Sequence, residues 1–380
     1  MSEHSTPFPH DPLRVIISGG GTGGHIFPAI AIADALKEAN GQTQILFVGA
    51  EGRMEAERVP QAGYPIKLLP VQGLNRKKIW KNFAVLKSLI RSRYLAREII
   101  RDFRPQVVIG VGGYASAPTL KEAQAAGIPT LLQEQNSFAG VTNKLLAKEC
   151  RTVCVAYKGM ERFFPPHKIV FTGNPVRPSL EYGTVSRSEG LQAFGLPASS
   201  QAPTLLVMGG SLGALSINRS VSAALPEWRN AGIQLIWQTG KSYAQEAQQQ
   251  LQEAGYTGAV ALPFIDRMEA AYAAADLVVS RAGALSISEI CLLGKPSVLI
   301  PSPNVAEDHQ TKNAQAVATA GGAQMIPDNS AVAVLGERVL NLLRDPKLPD
   351  RMGAAARTLA GPDAARKIVQ EVYKLLPATR

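Results

Sequence analysis

The sequence predicts an α/β protein with two Rossmann-like, doubly wound domains that face each other across a cleft. Three observations support this prediction. Short apolar runs alternate with glycine turns and helical segments, the second half of the chain repeats the order of the first, and 380 residues exceed one typical hydrophobic core. The composition, 46% hydrophobic and 18% charged, is that of a globular protein.

The predicted strands are short apolar runs, and most are continuous rather than alternating, as in parallel sheets that helices cover on both faces. In the first half they span residues 14–18, 44–48, 66–69, 106–110, 130–133, 152–155 and 168–172. In the second half they span 204–208, 234–238, 259–262, 277–280, 297–300 and 323–326. Predicted helices such as 29–39, 243–254 and 331–344 fit the crossovers between parallel strands.

Two pairs of similar segments define the repeat. VIISGGGTGG at 15–24 corresponds to LLVMGGSLGA at 205–214, and VVIGVGGYASAP at 107–118 corresponds to LVVSRAGALSIS at 277–288. Each is an apolar strand, a glycine turn and the start of a helix. Between the halves, GNPVRP at 173–178 is the predicted linker, because its two prolines block helix continuation.

The net charge of +10 is concentrated between Arg76 and Arg104, where ten basic residues stand among two acidic ones. The rest of the chain is nearly neutral, which favours one basic surface and argues against a general polyanion binder, so nucleic acid is not expected as a partner. The polar N-terminus lacks the apolar stretch of a signal peptide, and no apolar run is long enough to span a membrane. These features predict a cytoplasmic protein.

The most informative motif is SGGGTGGH at 18–25, between an apolar run and a helical segment. Glycines let the backbone approach an anion, and the free amides of a helix N-terminus favour negative charge. His25 adds a group that titrates near neutrality, which indicates chemistry as well as binding. A structural histidine at the helix start is the alternative.

This glycine loop also resembles a dinucleotide fingerprint, in which an acidic residue ends the second strand about 20 residues later. Here that strand ends at Glu51, which is late for the pattern, and a similar loop recurs in the second half. Oxidoreduction is therefore disfavoured. Nucleotide hydrolysis of the Walker type is disfavoured because the glycine–lysine–Ser/Thr ending is absent.

Three further segments carry polar groups that suit a nucleotide sugar. GGSLG at 209–213 offers Ser211 and loop amides to a diphosphate, although a plain tight turn is the alternative. SRAGALSISE at 280–289 places Glu289 near a helix start, where it serves either the helix dipole or a pair of ribose hydroxyls. EDHQTKNA at 307–314 contains Gln310, whose amide suits the recognition of sugar hydroxyls.

Taken in order, eight segments resemble the MurG family of peptidoglycan glycosyltransferases, which add N-acetylglucosamine to the lipid-linked muramyl-pentapeptide. The segments are GGGTGGHIFPA, GVGGYASAP, QEQNSFAGVTNKLLA, GNPVR, GGSLGA, FIDRM, SRAGALSISE and EDHQTKNA. The resemblance implies the GT-B arrangement of two Rossmann-like domains. Residues 1–174 would form the acceptor- and membrane-binding domain and 175–380 the UDP-sugar domain, with packing of the last helix on the first domain as an alternative.

The resemblance also implies site residues. For UDP-N-acetylglucosamine these are Thr22, Gly23, Gly24, Asn136, Arg177, Ser211, Ile265, Ala284, Leu285, Ser286, Ile287, Ser288, Glu289 and Gln310. The Ile265 backbone would bind uracil, Glu289 the ribose, and the amides at 284–288 the diphosphate. The acceptor diphosphate would lie on Gly20, Gly21, Gly113 and Tyr114.

Two positions depart from the family pattern. Gln133 stands where a histidine is often found, and Leu212 stands where a polar residue is common. The first departure is expected to change an acceptor contact, and the second removes a polar group near the donor phosphates.

The expected reaction is inverting transfer of the sugar to the C4 hydroxyl of the muramyl residue. His25 is the first candidate for the general base, and Glu134 is the competing candidate. No Asp-x-Asp pair appears, so neither a metal ion nor another cofactor is expected.

The basic segment is expected to contact an anionic membrane surface from the cytoplasmic face of the plasma membrane, because apolar residues interleave with basic ones. The residues concerned include Ile79, Trp80, Phe83, Lys77, Lys78 and Lys81. The cell-wall and division machinery is a further expected partner. An ordinary surface helix that packs its apolar face on the core is the alternative.

Two other functions remain open. A related synthase would transfer a hexose from a UDP-sugar to diacylglycerol, and a silent binder would hold the nucleotide sugar without turnover. The segments that contain Tyr114, Asn136 and Gln310 favour the peptidoglycan enzyme over the glycolipid synthase.

Overall fold

A computed structural model of the protein describes residues 12–71, 82–210, 212–305 and 308–377. The chain divides into two compact units. Unit 1 comprises Met1–Arg177 and Asp363–Arg380, and unit 2 comprises Pro178–Pro362. The division falls three residues beyond the expected boundary, and the C-terminal segment belongs to unit 1.

Strands form where the sequence predicts them, and their ends shift by no more than two residues. Those of unit 1 are β1 (Arg14–Gly19), β2 (Gln44–Ala50), β3 (Ile66–Leu69), β4 (Val107–Gly112), β5 (Thr130–Glu134), β6 (Thr152–Val155) and β7 (Ile169–Phe171). Those of unit 2 are β8 (Thr204–Met208), β9 (Gln234–Gln238), β10 (Ala259–Leu262), β11 (Leu277–Ser280), β12 (Ser297–Leu299) and β13 (Ala323–Met325).

Helices connect the strands in both units. Those of unit 1 are α1 (Gly23–Ala39), α2 (Glu55–Gln61), α3 (Asn82–Phe103), α4 (Ser116–Ala125) and α5 (Val141–Leu146). Those of unit 2 are α6 (Pro178–Glu181), α7 (Arg187–Ala193), α8 (Leu215–Asn230), α9 (Ala244–Glu253), α10 (Met268–Ala274), α11 (Ala284–Leu293), α12 (His309–Thr319), α13 (Ala331–Arg344) and α14 (Leu348–Arg357). The chain then returns to unit 1 as α15 (Ala364–Lys374).

Both sheets are parallel and doubly wound, as the continuous apolar runs predict. Their strand orders are β3-β2-β1-β4-β5-β6-β7 and β10-β9-β8-β11-β12-β13. The order reverses between β1 and β4 in one sheet and between β8 and β11 in the other. Such switch points leave a crevice at the carboxyl ends of the strands, where ligands of these folds bind.

Each sheet has an apolar cluster on both faces because side chains alternate along a strand. In β1, Val15 and Ile17 enter one cluster and Ile16 enters the opposite one. In β8, Leu205 and Leu206 divide in the same way. The two predicted Rossmann-like folds are thus confirmed.

Helix α1 begins at Gly23, six residues before the predicted start. Pro28 lies within it and lacks the N–H that would bond the Gly24 carbonyl, but the helix continues because the side chains of Ile26 and Ala29 are buried. As a result, His25 belongs to the first helical turn rather than to the loop.

Candidate functional site

The glycine loops that follow β1 and β4 pack backbone against backbone at the switch point of unit 1. The amide of Gly20 donates to the carbonyl of Gly112 at 3.2 Å. Gly113 has a φ of +91°, and a Cβ at this position would lie 2.3 Å from the Gly20 oxygen. These positions therefore require glycine, and the structure brings together Gly20 and Gly113, two of the expected acceptor-binding residues.

His25 lies against the second of these loops. A Cβ on Gly112 would approach the imidazole Cε1 to 2.8 Å, and Nδ1 lies 3.2 Å from Oε1 of Gln135. Burial lowers the pKa of His25 below its ordinary value of 6.5, while the charges of Glu134 and Glu55 oppose that shift. The ring is therefore neutral at pH 7 and able to accept a proton.

The helix that carries His25 presents its N-terminus at the same place. Thr22 is the exposed N-cap, and Gly23 and Gly24 form the first turn of α1, whose amides have no acceptor within the helix. Tyr114 follows the second loop and is half exposed. These groups make an anion-binding edge with donors and a phenol.

Glu55 lies beneath the first glycine loop and was not among the residues expected from sequence. It is 1% exposed at the start of α2, and its carboxylate accepts hydrogen bonds from the amides of Gly21 at 2.7 Å and Ala50 at 2.9 Å. The Gly21 amide, assigned from sequence to the acceptor diphosphate, thus donates to the protein's own carboxylate. The signal in the sequence was an acid at the first helix after β2.

Glu134 organises the loop that follows β5. Its carboxylate is 2% exposed and accepts from the backbone and side-chain nitrogens of Asn136, from the Gly140 amide and from Nδ2 of Asn143, at 2.9–3.3 Å. Four donors therefore surround the second candidate base. The same contacts fix the Asn136 side chain beside Glu134.

Three buried amide side chains lie behind His25. Gln133 donates to Oδ1 of Asn174 at 2.9 Å and accepts from Nε2 of Gln135. Gln133 is fully buried, so the expected change in an acceptor contact at this position is wrong: its partners are inside unit 1.

Arg177 ends unit 1 and was expected to hold the donor diphosphate. Its guanidinium lies 4.6 Å from the centroid of the Phe27 ring, a cation–π contact with the first turns of α1. The aromatic face limits the positions that this cation can take.

In unit 2, the loop after β8 is as tight as the loops of unit 1. Gly213 has a φ of +78°, and a Cβ there would lie 2.1 Å from the Thr239 oxygen. Leu212 is 81% exposed, and Ser211 lies outside the described residues.

The N-terminus of α11 lies after the neighbouring strand β11. Its first three amides, on Ala284, Leu285 and Ser286, have no acceptor within the helix. The next amide, on Ile287, donates to Gly283 at 3.0 Å, and the Ser288 hydroxyl donates to Ala284 at 2.9 Å. The expected diphosphate donors therefore narrow from 284–288 to 284–286.

The remaining donor-site candidates are buried or form hydrogen bonds within unit 2. Glu289 is buried in α11 and accepts from the Tyr272 hydroxyl at 3.0 Å. Ile265 is buried. Oε1 of Gln310 accepts from the Ser302 amide at 2.9 Å.

A polar cluster at the end of β11 also escaped the sequence analysis. Arg281 is nearly buried and donates to the carboxylate of Asp328 at 2.5 Å and to the Ser216 hydroxyl at 2.8 Å. The Ser216 hydroxyl in turn donates to Asp328 at 2.6 Å. This closed triangle ties β11 to α8 and to the turn before α13.

The expected membrane segment is described only from residue 82 onward. Ile79, Trp80, Lys77, Lys78 and Lys81 lie outside the described residues, and of Phe83 only the backbone in α3 is described. Further along α3, Leu89, Ile90 and Tyr94 are exposed. No helix in the described part of the chain is both long and apolar enough to cross a membrane.

Two arginines of α3 serve the fold of unit 1. Arg93 and Arg97 donate to the carboxylate of Glu122 on α4, which is 2% exposed, at 2.6 and 2.9 Å. Part of the basic excess of this segment is thus compensated within the unit. Among the described residues, no three His, Cys, Asp or Glu side chains cluster as metal ligands would, and metal independence stays a prediction.

Comparison with protein families gives two matches that together span most of the chain. Residues 15–155 match the glycosyltransferase family 28 N-terminal domain, and residues 204–368 match the glycosyltransferase family 28 C-terminal domain.

Two bacterial relatives are similar over nearly their whole length. A Porphyromonas gingivalis protein is 57% identical over 364 residues, and a Bacteroides fragilis protein is 55% identical over 367, each match covering 96% of both chains. Both are named UDP-N-acetylglucosamine–N-acetylmuramyl-(pentapeptide) pyrophosphoryl-undecaprenol N-acetylglucosamine transferase. The crystal structure of Acinetobacter baumannii MurG is similar with a TM-score of 0.75 and 28% identity, covering 96% of this chain and all of that one.

Proposed function

The chain belongs to glycosyltransferase family 28, and on that premise we propose that it transfers N-acetylglucosamine from UDP-N-acetylglucosamine to N-acetylmuramyl-pentapeptide on undecaprenyl diphosphate. This is a step of peptidoglycan synthesis. The observation that carries the proposal is the neutral imidazole of His25, which lies against glycine loops at the switch point of unit 1. A phosphate-binding edge that also holds a base suits transfer to a diphosphate-linked sugar.

In the proposed reaction, the C4 hydroxyl oxygen of the muramyl sugar attacks the anomeric carbon of the donor. His25 takes the hydroxyl proton, the bond between the anomeric carbon and the UDP oxygen breaks, and UDP leaves with the electron pair. Attack opposite the leaving group inverts the configuration. The carboxylates of Glu134 and Glu55 stabilise the resulting imidazolium, because both raise the pKa of His25 against its burial.

We assign the base to His25 rather than to Glu134. Four nitrogen donors surround the Glu134 carboxylate, so a proton there would displace hydrogen bonds that hold the loop after β5. His25 has no such cost. Glu134 then acts by charge and by fixing Asn136.

In the same proposal, unit 2 binds the donor. The Ile265 backbone binds uracil, Glu289 binds the ribose hydroxyls and Gln310 binds the glucosamine. The support is electrostatic: the open amides at the start of α11 and its helix dipole stabilise the charge that builds on departing UDP. Arg177 and Ser211 add donors to the diphosphate, and Thr22, Gly23, Gly24 and Asn136 of unit 1 contact the donor sugar.

The acceptor diphosphate, in this proposal, lies on Gly113, Tyr114 and the first turn of α1, while the Gly20 amide, which was also expected to bind it, holds the Gly112 carbonyl. The Gly21 amide supports the loop from below through Glu55. The polyprenyl tail requires a membrane surface, and the exposed Leu89, Ile90 and Tyr94 of α3 extend the segment expected to contact anionic lipid. In this proposal the protein works at the cytoplasmic face of the plasma membrane and has the division machinery as a partner.

One assay tests the function directly. UDP release is measured with UDP-N-acetylglucosamine and lipid-linked muramyl-pentapeptide, and in parallel with UDP-glucose or UDP-galactose and diacylglycerol. The first pair is expected to turn over and the second to give background only. Turnover of the second pair alone would identify a glycolipid synthase, and donor binding without UDP release would identify a silent binder.

Binding to vesicles tests the membrane contact. Vesicles with anionic lipid are expected to bind the protein at low salt and to release it as salt screens the charges. Replacement of Lys77, Lys78 and Lys81 by Gln should abolish binding, while replacement of the exposed Lys241 and Lys347 of unit 2 should not. Equal binding by both variants would contradict the proposal.

A further inference from the structure

We propose that Gln135 is a positioning residue that holds His25 as the tautomer with its hydrogen on Nδ1, and that Gln133 and Asn174 fix the orientation of Gln135. The unprotonated Nε2 is then the atom that takes the proton of the acceptor. This inference rests on the proposed function for its catalytic meaning, but the tautomer itself is a property of the protein alone.

The Gln135 side chain is buried. Its Nε2 lies 2.7 Å from the backbone oxygen of Val111. A carbonyl oxygen can only accept, so the amide nitrogen must face Val111. The amide oxygen of Gln135 therefore faces His25, and because it also can only accept, Nδ1 of His25 must carry the hydrogen.

The second half of the chain of hydrogen bonds gives the same orientation independently. Nδ2 of Asn174 donates to the backbone oxygen of Gln135 at 2.9 Å, which leaves Oδ1 of Asn174 as an acceptor. Gln133 must then present its Nε2 to Asn174, at 2.9 Å, and its Oε1 to Gln135. Two backbone carbonyls, one at each end, thus orient three amides.

Tautomer control matters because a neutral imidazole has one donor and one acceptor nitrogen. With the hydrogen on Nδ1, Nε2 keeps its lone pair. With the hydrogen on Nε2, the same ring in the same position would have no lone pair at Nε2 and could not take a proton there. The carboxylates of Glu134 and Glu55 favour the imidazolium that forms later, whereas the contact with Gln135 bears on the neutral tautomer.

A histidine at position 133 would fit the same role. A neutral imidazole also offers one acceptor and one donor. It could therefore accept from Gln135 and donate to Asn174 in the same order. Leucine could do neither, and the orientation of Gln135 would then depend on two backbone oxygens, that of Val111 at 2.7 Å and that of residue 133 at 3.4 Å.

The direct test is NMR of the full chain labelled with ¹⁵N-histidine, without substrates, at a pH above the titration of His25. The sequence has five histidines, and a His25→Asn variant identifies the signals. The expected result is a protonated Nδ1 and an unprotonated Nε2. The opposite pattern, or an equal mixture of tautomers, would overturn the inference.

Kinetics test the consequence. Gln135→Met is expected to lower kcat by roughly 10²-fold with KM for UDP-N-acetylglucosamine nearly unchanged, the lower end of what general base catalysis supplies. Gln133→His should keep the hydrogen of His25 on Nδ1 and at least about a third of kcat. Gln133→Leu should lose the single defined tautomer and most of kcat. Gln124→Met is the matched control, because this amide contacts Thr130 and Leu146 and not His25.

The outcomes separate the inference from the proposed function. If the Nδ1 hydrogen is present but His25→Ala keeps full turnover, the role of His25 fails and the tautomer stands. If His25→Ala abolishes turnover but the hydrogen is on Nε2, the inference fails alone. A Gln135 variant that does not fold leaves the spectrum of the unmodified protein to decide.

Discussion

The switch points of the two units share an architecture and differ in the polar groups that they bury. In both, a glycine loop follows the central strand and packs on a neighbouring backbone. Unit 1 places a neutral imidazole, a carboxylate and a row of amides behind its loops. Unit 2 places an ion pair, Arg281 with Asp328, at the same point of the sheet.

On the proposed function, this difference lets one fold serve two tasks. The groups behind the unit 1 loops can exchange a proton, because the imidazole is kept neutral and its carboxylate neighbours stabilise the charged form. The ion pair of unit 2 is fixed by three hydrogen bonds and stabilises the fold near the N-terminus of α11. The open amides of that helix favour binding of a fixed anion. Four sets of substitutions test this contrast.

Removal of the imidazole should have the largest effect. His25→Ala is expected to lower kcat by about 10²–10⁴-fold, since the general base is lost, while donor binding by unit 2 is retained. Turnover at saturating substrates and binding of UDP-N-acetylglucosamine measure the two parts. His167→Ala, in a different turn of unit 1, is the control, and near-normal turnover of His25→Ala would remove the chemical distinction between the units.

The two glycine loops should prove equally intolerant. Gly113→Ala and Gly213→Ala are each expected to lower the free energy of unfolding by about 2–5 kcal/mol, from the left-handed backbone plus the clash with a carbonyl. Gly127→Ala has a similar φ of +74° and no atom within 4 Å of the added Cβ, so it should cost only about 1–2 kcal/mol. Denaturant unfolding of all three tests this, and equal losses would refute the tight packing.

The ion pair of unit 2 should matter for stability. Asp328→Ala leaves the nearly buried Arg281 without its carboxylate and is expected to cost about 3 kcal/mol. Asp345→Ala removes an exposed partner of Arg351 and should cost less than about 1 kcal/mol. Thermal unfolding of both variants measures the two losses of stability. Equal losses would contradict the prediction.

The carboxylate under the unit 1 loop should affect stability and pH dependence together. Glu55→Gln keeps the shape but turns an NH₂ group toward one of two amide donors, at a cost of about 1–3 kcal/mol. Loss of the negative charge also lowers the pKa of His25 further, so the acidic limb of kcat/KM should move to lower pH. Glu57→Gln, on the exposed side of α2, should move neither quantity, and an acidic limb that shifts upward in Glu55→Gln would contradict the assignment.

Local patterns made the strands and turns predictable. An apolar run such as 107–111 carries its own signal for a buried parallel strand, and the glycine loops carry theirs for a close backbone approach. The contacts of Gln135 and Glu55 could not be predicted, because their partners are 110 and 34 residues away in sequence. In the sequence, acidic and amide residues at such positions resemble ordinary surface residues. Only the folded chain places a carbonyl or an amide next to them.

The site residues divide along the same line. His25 and the start of α11 follow from motif and helix chemistry, which are local, whereas α1 begins six residues before its predicted start. The open amides of α11 end at Ser286 rather than at the expected Ser288, because the point at which helix bonding begins depends on where the N-cap lies. The sequence also did not reveal that Gln133 is buried with its partners inside unit 1, because burial depends on how the whole unit folds.

The return of α15 to unit 1 has a consequence for biosynthesis. Ile368, Val369 and Val372 share a buried cluster with residues of α1 and β1, yet the ribosome makes them after all of unit 2. At 5–20 residues per second, the interval between the end of the first segment and α15 is roughly 10–40 s. During that time α1 lacks its covering helix while unit 2 is being made, so the unit that is made first closes last.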